Sequence, residues 1–295
     1  MKNQTFGVEI EFTGITRSTA AEAIAKVLGV SERYIGGTYS AYEVRGTDGR
    51  RWNVVSDSSI RATKKDGTAA GSDHRCEMVT PICRYEDIEK VQEIVRAIRK
   101  AGGKVNDSCG LHIHIGADGH TAKSLRNLAS IMASKETLLF KALGVGNSRS
   151  ERWCKKVEGK MLDKMQSKRP KTIEEVKKIW YNGEDGSWEH YHQSRYHALN
   201  LHSVFQKGTV ELRMFNSTLH AGKVKAYIQL ALAISNQAKV QKGASRKETT
   251  STNEKFTFRT WLIRLGLNGE EFKTARLHLL ANLDGNSAWR YPEAA

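Results

Sequence analysis

Apolar and polar residues alternate in three short runs of the chain, and that alternation predicts strands, because successive side chains of a strand point to opposite faces. In FGVEIEF at 6–12, Val8, Ile10 and Phe12 take one side and Glu9 and Glu11 the other. GLHIHI at 110–115 sets His112 and His114 against Leu111, Ile113 and Ile115. TVELRMF at 209–215 sets Glu211 and Arg213 against Val210, Leu212 and Met214. Each run has an aliphatic side suited to packing on helices and a second side of ionisable groups. If the runs lie in one sheet, those groups converge.

Helical spacing fills much of the remainder. A stripe of Ala21, Ile24, Ala25, Val27 and Leu28 predicts a helix over 18–28, with Ser18 as its cap and Gly29 as its stop. Residues 39–55 read as a hairpin turning at Thr47-Asp48-Gly49 in a type I′ turn, the form that Asp-Gly favours. The Gly, Ala and Thr-rich stretch 63–73 reads as a mobile loop, followed by a strand over 75–81 that Pro81 ends. Helices are predicted over 85–100, closed by Gly102-Gly103, and over 122–143. A turn at Gln206-Lys207-Gly208 leads into the Glu211 strand, and a helix with an almost continuous apolar core covers 223–240. The fold class is α+β, with helices covering one face of an antiparallel sheet and chemistry on the other. Residues 1–240 form one domain, 241–255 a polar linker and 256–295 a small helical appendage around 261–265 and 271–280.

Composition narrows this picture only in part. A chain of 295 residues can bury a sizeable core. No run reaches the roughly 18 apolar residues of a membrane span, and MKNQTFGVEIEF has no apolar leader, so the reading is cytoplasmic. Cys76, Cys83, Cys109 and Cys154 lack the tight spacing of a structural zinc site and read as reduced, mostly buried thiols, Cys109 beside the histidine strand being the one to watch. The net charge of +15 admits nucleic acid, an acidic polymer or a polyanionic substrate such as ATP, and equally a basic solvated surface. The stretch 147–188 is rich in Lys and Arg, which interleave with Trp153, Trp180 and Trp188, and Thr172 opens a short helix in a capping box with Glu175. Such a segment binds nucleic acid or acidic peptide, or is a solvated helical insertion.

The polar faces supply the candidate chemistry. Glu9 and Glu11 repel each other from one strand face and are better tolerated with a cation between them. Glu77 in the 75–81 strand is an exposed strand residue or a third carboxylate of the same kind. Asp57, after the second arm of the hairpin, serves its own turn or a site. The histidines, Arg195 and Asn200 each have a structural alternative as satisfied core or surface groups. No GxxxxGK[ST] run is present, which excludes a P-loop ATPase.

Six motifs in order, GVEIEF at 7–12, WNVVSDSSI at 52–60, CEMVTP at 76–81, GLHIHI at 110–115, RYHALNL at 195–201 and TVELRMFNSTL at 209–219, resemble those of the amidoligase family. The resemblance covers about 5–240. It implies the fold of the glutamine synthetase and glutamate-cysteine ligase superfamily, with ATP, two or more Mg²⁺ ions (or Mn²⁺), and a carboxylate and an amine as substrates, a peptide or protein among them. A carboxylate is phosphorylated to an acyl phosphate, which the amine then attacks. By the same resemblance Glu11 and Glu77 take one ion and Glu9, His112 and Glu211 another. Arg213 braces the transferring phosphate, His114 faces nucleotide or acyl phosphate, Asp57 belongs to the active site, and Arg195 and Asn200 contact nucleotide or substrate. A metal-dependent hydrolase and a basic nucleic-acid-binding protein remain as alternatives. The oligomeric state is open: superfamily rings share sites between subunits, and nothing in the sequence demands a ring.

Overall fold

The computed structural model describes residues 1–291. Along the chain run β1 (Phe6–Phe12), α1 (Arg17–Leu28), β2 (Glu32–Gly36), β3 (Ala41–Arg45), β4 (Arg51–Val55), β5 (Cys76–Val79), α2 (Ile88–Ala101), β6 (Gly110–Gly116) and α3 (Ala122–Leu143). Then come α4 (Asn147–Arg152), α5 (Gly159–Lys168), α6 (Ile173–Trp180), β7 (Leu199–Asn200), α7 (His202–Lys207), β8 (Thr209–Asn216), α8 (Ala221–Val240), α9 (Glu254–Arg264) and α10 (Lys273–Leu280). The protein is a mixed α and β fold in which the strands pair antiparallel.

Two compact units divide the chain. The first takes 2–113 with 215–228, and its strands follow the hydrogen-bonded order β2-β3-β4-β5-β1-β6. Its core is the aliphatic side that the alternation predicts: Val8, Ile10, Phe12, Val44, Val54 and Met78 are all buried, with Ile24 of α1 and Val91, Ile94, Val95 and Ile98 of α2. Burying side chains of this size is worth about 1.5–3 kcal/mol each, so the strand and helix patterns support one another.

Three details in this unit correct the sequence reading. Thr16, not Ser18, caps α1: its hydroxyl accepts from the Thr19 amide while its own backbone is still extended, which is the geometry a cap needs. The β3–β4 turn is not type I′, because only Gly49 has a positive φ, at 78°. The Gly49 amide closes onto the Gly46 carbonyl, and Asp48 accepts from the Arg50 amide at 3.0 Å, leaving Asp48 in ordinary right-handed space. The 63–73 stretch is hydrogen-bonded at both ends, through Gly14 N to Thr63 O at 2.9 Å and Ala70 N to Ala62 O at 3.1 Å. Buried Arg17 also donates to the carbonyls of Ser72 and Arg75 at its far end.

The second unit takes Met1, 114–214 and the chain from 229 onward, with strands in the order β6-β8-β7. The predicted helix over 122–143 is present to the residue as α3. The predicted turn at 206–208 is instead the end of α7, whose six residues are too few to show a period; Gly208 closes it in left-handed conformation. The 241–253 stretch is tied to α3 by Ser134 Oγ to Lys247 O at 2.7 Å and Thr249 N to Ser134 O at 2.9 Å, and α9 and α10 belong to this unit. None of the cysteines is in a disulfide, and burial pushes the thiols of Cys76 and Cys83 up to about 12, too high for nucleophiles. No described helix is long and apolar enough to cross a membrane.

Candidate metal and anion site

In the first unit, β1, β5 and β6 carry the acidic and imidazole side chains that the alternation singles out. Glu11 stands opposite Glu77 in the antiparallel β1–β5 register. Like charges in that position destabilise a sheet unless something offsets them. Ligand atoms of Glu11, Glu77 and His112 lie within 4.8 Å of one another. Glu11 is 4% exposed and His112 6%, so this group sits in the body of the sheet rather than on its rim.

Each ring nitrogen of His112 has its own direction. Nδ1 lies 3.2 Å from Glu9 Oε2 and Nε2 lies 3.9 Å from Glu11 Oε1. With Nδ1 donating to Glu9, the neutral ring presents the Nε2 lone pair toward Glu11, the arrangement in which a carboxylate orients a ligating histidine. The other Glu11 oxygen accepts from the Gly110 amide at 2.6 Å, which fixes the carboxylate. Two ligands of one Mg²⁺ at about 2.1 Å each lie about 3 to 4 Å apart, so the 3.9 Å pair fits a shared cation. Two carboxylates and one imidazole are donors suited to Mg²⁺ or Mn²⁺. Glu9, predicted as a ligand of the second ion, lies beside His112 with a carboxylate oxygen within reach of the ring.

In the second unit, β7 and β8 build a different group. Asn200 and Glu211 are register partners, and Asn200 Nδ2 donates to Glu211 Oε2 at 2.6 Å. Arg213 Nη1 donates to the other oxygen, Glu211 Oε1, and His114 Nε2 lies 3.8 Å from that same oxygen. All four residues are buried. His114 Nδ1 meets Thr209 Oγ1 at 3.0 Å, and Ser203 Oγ bonds that hydroxyl at 2.7 Å. Arg149 Nη2 donates to the Arg213 carbonyl at 3.3 Å. Thr209, Ser203 and Arg149 are absent from the sequence reading. Thr209 was visible, since 209, 211 and 213 alternate onto one face of β8; Ser203 and Arg149 gave no periodic signal.

Two further predicted site residues have local partners. Asp57 Oδ1 accepts from the Ser59 amide at 2.6 Å in the turn after β4. Arg195 ends a short 3₁₀ turn, donates to the His190 carbonyl at 3.0 Å and lies over the rings of Tyr191 and Tyr196. Aromatic faces and a local carbonyl satisfy that guanidinium where it stands. Nearby, burial and then the charges of His192 and Arg195 push His202 down to about 4, so it stays neutral beside the Tyr181 hydroxyl that it meets through Nδ1.

Residues 2–235 match the model of a family described as "putative amidoligase enzyme". No curated protein matches the chain.

Proposed function

The chain belongs to the amidoligase family, and from that membership we propose that it is an ATP-dependent ligase joining a carboxylate to an amine through an acyl phosphate. The observation that carries this reading is the convergence of Glu11, Glu77 and His112 around a space that suits one divalent cation. A carboxylate resists amines because it is anionic and lacks a competent leaving group. Transfer of the ATP γ-phosphoryl group onto a carboxylate oxygen supplies phosphate as the leaving group; the amine then forms the C–N bond, phosphate departs and the amine loses a proton. Phosphoryl transfer is chiefly a matter of position and charge.

Each group has a part in this. Glu11, Glu77 and His112 would hold Mg²⁺ or Mn²⁺, which neutralises phosphate charge. Glu9 orients His112 through Nδ1, and the Gly110 amide holds Glu11. Arg213 offers a planar fork of N–H donors to a phosphate, with Glu211 anchoring one nitrogen of that fork. Asn200 keeps a buried Oδ1 that no described group satisfies, an acceptor for a substrate or nucleotide N–H. The proposal puts the enzyme in the cytoplasm, where ATP is abundant.

Calorimetric titration of the purified protein with ATP, with and without Mg²⁺, tests the reading. Binding that requires Mg²⁺ and is lost in Glu11→Gln is the expected outcome, with ADP release once a carboxylate and amine pair is supplied. Tight zinc binding together with hydrolysis that needs no ATP would replace the ligase by a metal-dependent hydrolase.

A further inference from the structure

The basic insertion carries a cleft of about 630 Å³ between α5 and α6, within the roughly 300–1,000 Å³ range of ligand sites. Its lining includes Lys164, Lys168, Arg169, Lys171 and Lys178 against a single carboxylate, Glu175. The chain turns there because Arg169 takes left-handed conformation at φ 45° and Pro170 follows it. That turn sets the side chains of 168, 169 and 171 around one end of the cleft. Lys164 is anchored by Asn182, and among the described residues Lys168, Arg169, Lys171 and Lys178 have no ion-pair partner. Glu175 accepts from the Lys171 amide at 2.7 Å, which ties it to the start of α6.

We propose that this cleft binds an acidic peptide segment, several glutamate or aspartate side chains on one strand of chain. Four of the five cations are lysines, separate point charges on the lining, which suits separate carboxylates. A compact polyphosphate is recognised instead by arginine forks and open backbone amides. Here two of the amides at the turn are taken, Lys171 N by Glu175 and Glu175 N by Thr172. Pro170 and Ile179, both buried, give an apolar floor for the methylenes of glutamate. No aromatic residue lines the cleft, so it lacks the stacking platform that single-stranded nucleic acid uses. The lining shares no residue with the candidate metal and anion site, and its test does not use ATP turnover.

Fluorescence anisotropy of labelled hexaglutamate with the full chain reads the binding directly. Lys168→Glu with Lys171→Glu should weaken it by about tenfold or more, and raising salt from 50 to 200 mM should weaken it too, as charge pairing at a surface requires about a Debye length of approach. Lys168→Gln with Lys171→Gln should fall between, and Lys223→Glu with Lys242→Glu should leave affinity unchanged; circular dichroism confirms that each variant is folded. Absence of hexaglutamate binding, or binding indifferent to the 168 and 171 changes, overturns the proposal. So does oligouridylate or inorganic triphosphate binding more tightly than hexaglutamate at equal ionic strength and being lost in the same variant.

Discussion

Glu136 and Glu211 lie in the same unit and are buried to the same degree, each 2% exposed, yet they are held in opposite ways. Glu136, on α3, accepts from the Val157 amide at 2.9 Å through one oxygen, and its other oxygen has no hydrogen-bond partner among the described residues. Burial pushes its carboxyl up to about 7, against the smaller opposing pull of that amide and of Lys156. Glu211 has a donor on each oxygen, Asn200 on one and Arg213 on the other. Burial alone yields an acid that discards its charge; burial beside a guanidinium gives a carboxylate a counter-charge in a fixed place. A site that handles phosphate needs the second arrangement, because its guanidinium must be aimed before the ligand arrives.

The largest effect should come from separating Glu211 from its cation. Arg213→Ala leaves a buried carboxylate without that partner and should cost about 3–5 kcal/mol of stability at pH 7, read by urea unfolding. Replacing both residues, Glu211→Met with Arg213→Met, should recover most of the loss, since a well-packed apolar pair often equals a buried ion pair. If Arg213→Ala costs no more than an exposed arginine, under about 0.5 kcal/mol, then Glu211 and Glu136 are held alike and the contrast fails.

How far this contrast was legible in the sequence differs between the two residues. Glu211 and Arg213 are two apart on a strand whose other face is aliphatic, so their shared side follows from the period of two, as it does for Glu9 with Glu11 and His112 with His114. Asn200 could not be matched to Glu211 on the same ground: their pairing depends on the β7–β8 register, set by α7, a helix too short for its period to show. Glu136 resembles any polar position on an amphipathic helix, and neither its burial nor its bond from the Val157 amide has a periodic signal in the sequence. Short-range competition decides the start of α1. Thr16 and Ser18 are both hydroxyls near the start of α1, and the cap goes to the one still in extended backbone. Asp57 and Arg195 found partners within five residues, Ser59 for one and His190 with Tyr191 and Tyr196 for the other. The helices and strands were readable because each buries a face several residues long, whereas caps, registers and single charges are decided by one or two contacts.

Titration gives the next effect in size. A carboxyl whose folded pKa is raised binds its proton more tightly in the folded state, so its contribution to stability is greatest below the unfolded value and is lost as pH rises through the folded one. For Glu136 that window runs from the ordinary 4.5 to about 7. Across it the wild type should lose about 3 kcal/mol that Glu136→Gln does not lose. Parallel curves of unfolding free energy against pH for the two proteins would show that Glu136 keeps its charge by some other means.

The smallest effect belongs to Asn200, and its size separates two roles. Asn200→Ala removes the donor to Glu211 Oε2, and a hydrogen bond to a charged group is worth about 1.5–3 kcal/mol. The same change also removes the buried Oδ1 that has no partner among the described residues, which offsets part of the loss, so the net cost should be about 1 kcal/mol. ATP titration of the same variant asks what that oxygen is for. If Asn200 serves only to hold Glu211, ATP affinity should change no more than the small loss of stability implies. If Oδ1 accepts an N–H from the nucleotide, affinity should fall by about tenfold while stability falls by only about 1 kcal/mol.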